Sequence, residues 1–223
     1  MGFHDRSDAG RRLAELLARF RHDASTLVLA LPRGGVPVGY EIARAIGAPL
    51  DIILVRKLGY PLQPELAMGA IASGGVIVLH EDAVESLDIS RETIERAAQR
   101  ELRELERQEA VFRGRRPPPD IAGRTVILVD DGLATGSTMR AAVQAVRQQR
   151  PRRLIVAVPV GAASTCAEFA REVDEVVCLH RPADFRAVGL WYDDFTPTSD
   201  ETVTRLLTAA AQRDEAYAAE VDS

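Results

Sequence analysis

Apolar residues fall into two rhythms along this chain. Thr26–Leu31, Leu50–Val55, Thr125–Val129, Leu154–Val160 and Val173–Leu179 are short runs rich in Val, Ile and Leu. Runs apolar on both faces read as strands buried on both sides of a parallel sheet. Between them, residues 37–46, Ser137–Gln149 and Ser164–Arg171 space their apolar residues as helices do. Ala9–Arg21 also reads as a helix, with Leu13, Leu16, Leu17 and Phe20 on one face and Asp8 as a candidate cap. Ser90–Arg113 and Ser199–Ala219 are predicted as longer helices. Strands alternating with helices predict an α/β fold: a doubly wound, mainly parallel sheet with helices on both faces.

One stretch breaks the rhythm. Leu58–Glu65 is rich in Gly and Pro, and Ala67–Ala72 and Val76–Leu79 are β-like pieces joined by Ser73-Gly74-Gly75, which predicts a hairpin. Three consecutive prolines within 114–120 end the long helix. The strands on either side of that break are too few for separate cores. The expectation is therefore one domain over residues 1–223, its core about 24–180.

Composition narrows the class. The chain has 223 residues, 46% hydrophobic and 27% charged, with a formal net charge of −5. This is a soluble, globular balance with no general attraction to nucleic acid. No apolar run is long enough to span a bilayer. Met1–Phe20 lacks the apolar core of a signal peptide. Cys166 and Cys178 form no C-x-x-C pair, so neither a zinc site nor a disulfide framework is expected, and the cytoplasm is the expected location. Four histidines show no metal spacing. The Glu/Arg pairs of Ser90–Arg113 suit a solvated face or a homodimer contact. Lys57 is the one lysine among 28 Lys and Arg residues.

Three strand ends carry candidate chemistry: Arg33-Gly34-Gly35, Arg56-Lys57, and Asp130-Asp131 followed by Ala134-Thr135-Gly136-Ser137-Thr138. Parallel strands bring such ends to one edge of the sheet, where ligands bind. The Thr135–Thr138 turn leads into a helix and offers N–H groups and hydroxyls to an anion. Carboxylates beside an anion site suit a ligand bearing hydroxyls and phosphate. A receiver-type acidic pair is the competing reading. It needs a later lysine, and none follows Lys57. Lys57 itself could be an ordinary surface lysine, and Trp191 and Tyr192 either packing residues or a cover for a flat base.

The run Val129-Asp130-Asp131-Gly132-Leu133-Ala134-Thr135-Gly136-Ser137-Thr138 resembles the phosphoribosyl-pyrophosphate signature of type I phosphoribosyltransferases, closest to its adenine-enzyme form. Leu31-Pro32-Arg33-Gly34-Gly35 resembles that family's pyrophosphate loop, Arg56–Pro61 the start of its mobile loop (about 57–75), and 182–197 its base-binding hood, to which the N-terminus would contribute. The resemblance implies transfer of a 5-phosphoribosyl group from phosphoribosyl pyrophosphate to a nucleobase-like acceptor, with Mg²⁺. It implies that Asp130 and Asp131 bind the ribose hydroxyls and, through them or water, the metal. Ala134–Thr138 would bind the 5′-phosphate; Arg33, Gly34, Gly35, Lys57 and Arg56 would bind pyrophosphate. It also implies a non-proline cis peptide beside Arg33. Ala134 replaces the acid that handles the base proton in the hypoxanthine-guanine enzymes, leaving Glu65 as a candidate base. A regulator that binds the donor or a nucleotide without catalysis is the alternative reading.

Overall fold

The computed structural model describes residues 2–60, 63–86, 89–114 and 116–221. In chain order the elements are α1 (Arg6–Leu16), β1 (Thr26–Ala30), α2 (Gly35–Ile46), β2 (Leu50–Ile52), β3 (Val55–Tyr60), β4 (Gln63–Ala72), β5 (Val76–Leu79), α3 (Glu81–Ser86), α4 (Arg91–Arg113), β6 (Thr125–Val129), α5 (Ser137–Gln148), β7 (Arg153–Val160), α6 (Ala163–Glu172), β8 (Glu175–His180) and α7 (Asp200–Val221). The five strands β2-β1-β6-β7-β8, in that order, form a parallel sheet. Side chains alternate across it, as the pleat requires. Val28, Ala30, Ile127, Val129, Ile155 and Ala157 face a core shared with α1, α2, α4 and α7. Leu27, Leu29, Val126, Leu128, Leu154 and Val156 face α5 and α6. The doubly wound architecture is the one expected.

The chain steps from β1 outward to β2, then crosses back to β6 on β1's other side. Strand order therefore reverses between β1 and β6, whose paired ends are Ala30 and Val129. A crevice opens at the carboxyl ends of strands where the order reverses in this way.

Several boundaries differ from expectation: α1 ends at Leu16 rather than Arg21, and β4 begins at Gln63 rather than Ala67. Leu50–Val55 is not one strand. After β2 the chain changes sheets: the Leu54 N–H donates to Ser73 Oγ and the Ser73 N–H to the Leu54 carbonyl, each at 2.9 Å. Val55 then opens β3 in a second, antiparallel sheet ordered β3-β4-β5. Arg56 and Lys57 consequently lie inside β3 rather than at a parallel-strand end, and much of the expected mobile loop is β-structure. The Ser73–Gly75 hairpin turn is where it was expected. The first helix is capped by Asp5, whose carboxylate accepts from the Asp8 N–H at 2.7 Å, so Asp8 lies in the first turn.

The long helix α4 starts on a Ser90 cap and ends before Gly114. It buries Ile94, Ala97, Ala98, Leu105 and Phe112, and sets pairs such as Arg91–Glu95 and Arg107–Glu104 toward solvent. Its last residue, Arg113, is buried and donates through Nε to Asp51 of β2 at 3.0 Å. Among the described residues no helix is long and apolar enough to cross a membrane.

Candidate active site

β1 and β6 end side by side, and their loops leave in contact. The Leu31 N–H donates to the Val129 carbonyl at 2.9 Å, extending the ladder one residue beyond the strands. The chain then turns through a cis Pro32–Arg33 peptide, as the resemblance implied, and enters α2 at Gly35. Gly34 passes directly over the Asp131 carboxylate. A Cβ on it would lie 2.0 Å from Oδ2, so a larger residue at this position would have to push the Asp131 carboxylate aside.

Asp130 and Asp131 occupy different environments. The Asp131 N–H donates to Asp130 Oδ1 at 2.8 Å. Burial, reinforced by the charge on Asp131, pushes the Asp130 carboxyl well above the usual carboxylate range. Asp131 is ion-paired instead: Arg6 Nε donates to its Oδ2 at 2.7 Å. The Tyr192 hydroxyl donates to the Asp131 carbonyl at 2.6 Å. Burial, with the Asp131 charge adding to it, holds that phenol above its usual range, so it remains a donor.

Beyond the carboxylates the chain is pinned before it turns. The Leu133 N–H donates to the Val160 carbonyl and the Ala162 N–H to the Leu133 carbonyl, both at 2.9 Å. Thr165 Oγ1 donates to the Ala134 carbonyl at 2.7 Å. These bonds leave the side chains of Thr135, Ser137 and Thr138 at the surface. Gly136 caps α5 with φ +74° and no side-chain cap bond, and a Cβ there would meet Phe169 at 2.5 Å. The first N–H groups of α5 are thus presented outward beside three hydroxyls, an arrangement that attracts anions.

The remaining candidates divide. Lys57 is exposed and lines a cavity of about 360 Å³ between the antiparallel sheet and α5, together with Gly69, His80, Ser137, Thr138 and Gln144. Arg56, its neighbour, lies on the opposite face of β3, as strand alternation dictates, and donates through Nε to Glu101 of α4 at 2.8 Å. Burial raises the Glu101 carboxyl, but hydrogen bonds from Arg56 and Arg100 outweigh that and leave it lowered. Arg33 is half-exposed, with Nε 2.5 Å from Asp200 Oδ1 in the first turn of α7. The side chain of Glu65 lies outside the described residues.

Residues 188–196 fold over the carboxylates as a hood, with the N-terminal segment woven in. The Phe3 N–H donates to the Trp191 carbonyl at 2.7 Å, and the Asp193 N–H to the Phe3 carbonyl at 2.8 Å. Tyr192 is buried between Phe3 and Phe195, with ring centroids 5.3 and 5.1 Å away. Trp191 stacks on His180 at 5.4 Å. Both rings therefore already have packing partners, Trp191 on the end of β8 and Tyr192 within the hood. Val188 sits over Gly132, where a Cβ would meet its Cγ1 at 2.4 Å. Sequence reasoning missed Arg6, Asp200 and His80. Arg6 and Asp200 lie at helix starts far along the chain from their partners, with no local signature.

Comparison with known proteins bears on this geometry. The model of the phosphoribosyl transferase domain family matches residues 4–193. A Mycobacterium tuberculosis (strain ATCC 25618 / H37Rv) protein named "Putative phosphoribosyl transferase" is 46% identical over 221 residues, 99% of this chain and 49% of the relative. This chain thus spans about half the length of that relative. A "Bifunctional protein PyrR" from Chloroflexus aurantiacus is 34% identical over 136 residues, 56% of this chain and 65% of that protein. The crystal structure of TT1426 from Thermus thermophilus superposes with a TM-score of 0.83 at 44% identity, covering 94% of this chain and 99% of that one.

Proposed function

The chain belongs to the phosphoribosyl transferase domain family, and from that premise we propose that it transfers the 5-phosphoribosyl group of phosphoribosyl pyrophosphate to a nitrogenous base, releasing pyrophosphate with the help of Mg²⁺. One observation carries the reading: Gly34 lies against Asp131, so the candidate pyrophosphate loop and the candidate ribose carboxylates share one crevice. In this reading the donor's ribose hydroxyls donate to Asp130 and Asp131. Its 5′-phosphate takes the N–H groups and hydroxyls of Thr135–Thr138. Its pyrophosphate lies toward Arg33, Gly34, Gly35 and Lys57. The acceptor enters beneath the hood near Val188.

Among the described residues no cluster of three or more His, Cys, Asp or Glu side chains is placed to cage a metal. Two adjacent carboxylates fit Mg²⁺ in another way, since this cation is commonly held by one or two carboxylates together with substrate phosphates. Asp130 and Asp131 would hold it through ribose hydroxyls or water, and it would offset the charge of the departing pyrophosphate. The protein's own part is positional. The α5 N-terminus fixes the phosphate end, the carboxylates fix the sugar, and the hood excludes water from the reacting carbon.

The test is a panel assay: donor, Mg²⁺ and each free purine or pyrimidine base, followed by pyrophosphate release. Release dependent on a particular base supports the transferase and identifies its acceptor. Tight donor binding with no turnover on any base supports the regulator instead. Absence of donor binding removes the transferase and leaves only a regulator that binds a nucleotide.

A further inference from the structure

Arg6 sits at the site without belonging to either motif loop. Its guanidinium is held on three sides. Nε donates to Asp131 Oδ2 at 2.7 Å, Nη1 donates to the Thr196 carbonyl at 2.8 Å, and the group lies 4.0 Å over the centroid of the Phe195 ring. The side chain is only 11% exposed and that of Asp131 15%, so this is no solvated surface pair. The planar fork of arginine can serve two acceptors at a fixed angle while its face rests on an aromatic ring, which a lysine cannot do. The hydrogen bonds between Phe3 and the hood, followed by the Asp5 cap of α1, fix where Arg6 begins.

We propose that Arg6 is a positioning residue that ties the hood to the ribose carboxylate, so that donor and acceptor binding act on one guanidinium. The proposal rests on the phosphoribosyl-donor reading. Arg6 occupies Oδ2, and a carboxylate keeps further lone pairs with which to accept a ribose hydroxyl. The hood holds Asp131 twice, through Tyr192 on its carbonyl and through Arg6 on its side chain. A base that shifts Phe195 or Thr196 therefore shifts Asp131, and a donor that draws on Asp131 tightens the hood.

The experiment titrates phosphoribosyl pyrophosphate with Mg²⁺, and ribose 5-phosphate separately, into the wild type, Arg6→Lys, Arg6→Gln, Phe195→Leu and the Arg6→Gln/Phe195→Leu double variant. Melting temperatures check that each is folded. Loss of a charge-assisted bond to a carboxylate is expected to weaken donor binding about 10- to 100-fold in Arg6→Gln. Arg6→Lys should recover only part of that loss. Phe195→Leu should weaken binding alone yet add little to Arg6→Gln, because both act through the same contact. Unchanged donor affinity in Arg6→Gln, full recovery in Arg6→Lys, or additive losses would each overturn the proposal. A wild type that binds no donor would overturn the underlying reading as well, and the failure of the wild type itself distinguishes that outcome.

Discussion

Gly34 and Asp131 meet so closely that a single methyl group on Gly34 would lie 2.0 Å from Asp131 Oδ2, where Arg6 now donates. Gly34→Ala should therefore move the carboxylate and break its pairing. Misplacing a reacting group by an ångström costs about 100-fold in rate. Overpacking at one site costs about 1–3 kcal/mol in stability. The expected outcome is a folded protein with turnover or donor affinity lost; a fully active variant would show that the two loops can separate without consequence.

Asp130 predicts an inverted pH dependence of stability. Its carboxyl is pushed up, first by burial and then by Asp131, so between the unfolded and native values the folded protein holds a proton that the unfolded chain has released. Its stabilising contribution is full below the unfolded value and is lost as pH rises through the raised native value. Asp130→Asn should thus melt above the wild type at pH 7–8, with the gap narrowing towards about pH 4, near the unfolded carboxyl pKa. Melting curves across that range test it. A gap that widens in acid would contradict the direction.

Arg33 is engaged by Asp200 with both side chains about half exposed. Pairs of this kind contribute about 0–1 kcal/mol, so under the proposed donor reading a pyrophosphate would displace Asp200 at little cost. Asp200→Asn removes the competitor and should tighten donor binding up to about fivefold, the equivalent of that energy. Titration calorimetry reads the change. Weaker binding in the variant would mean that Asp200 holds Arg33 in its working position.

Lys57 lines the cavity beside Ser137 and Thr138 and is exposed. Exposed substitutions usually alter stability by about 0.5 kcal/mol or less. Lys57→Ala should accordingly lower turnover or donor affinity about tenfold, the loss of one charge-assisted contact, while the melting temperature stays near wild type. Equal activity would return Lys57 to the role of a surface lysine.

Arg113 anchors α4 beneath β2, with Nε on Asp51 at 3.0 Å and Nη2 on the Ile52 carbonyl at 3.2 Å. Both members of the pair are buried. Removing one partner of a buried ion pair costs about 3–5 kcal/mol because the other charge is left unpaired. Arg113→Ala should lose that much in urea denaturation, whereas Arg107→Ala, on the exposed side of the same helix, should lose little.

The three central parallel strands, β1, β6 and β7, were legible because each is apolar on both faces, which a solvated sheet does not require. The Thr135–Thr138 turn into α5 was legible because Gly136, with a positive φ, and the helix that follows lie in one contiguous stretch. The change of sheet at Leu54 was hidden, since apolar content does not vary when a strand changes partners; the Ser73 bonds decide it. Arg56 and Lys57 read as one basic pair, and only the pleat of β3 sends them to opposite faces.

Local chemistry, then, determined what is written in consecutive residues: the strands, the two motif loops and the turn that opens α5. The fold alone decided the pairings that span the chain. Arg6 reaches Asp131 across 125 positions and Arg33 reaches Asp200 across 167. An ion pair depends on where the backbone returns in space, and nothing in the sequence around any of these four residues encodes that distance.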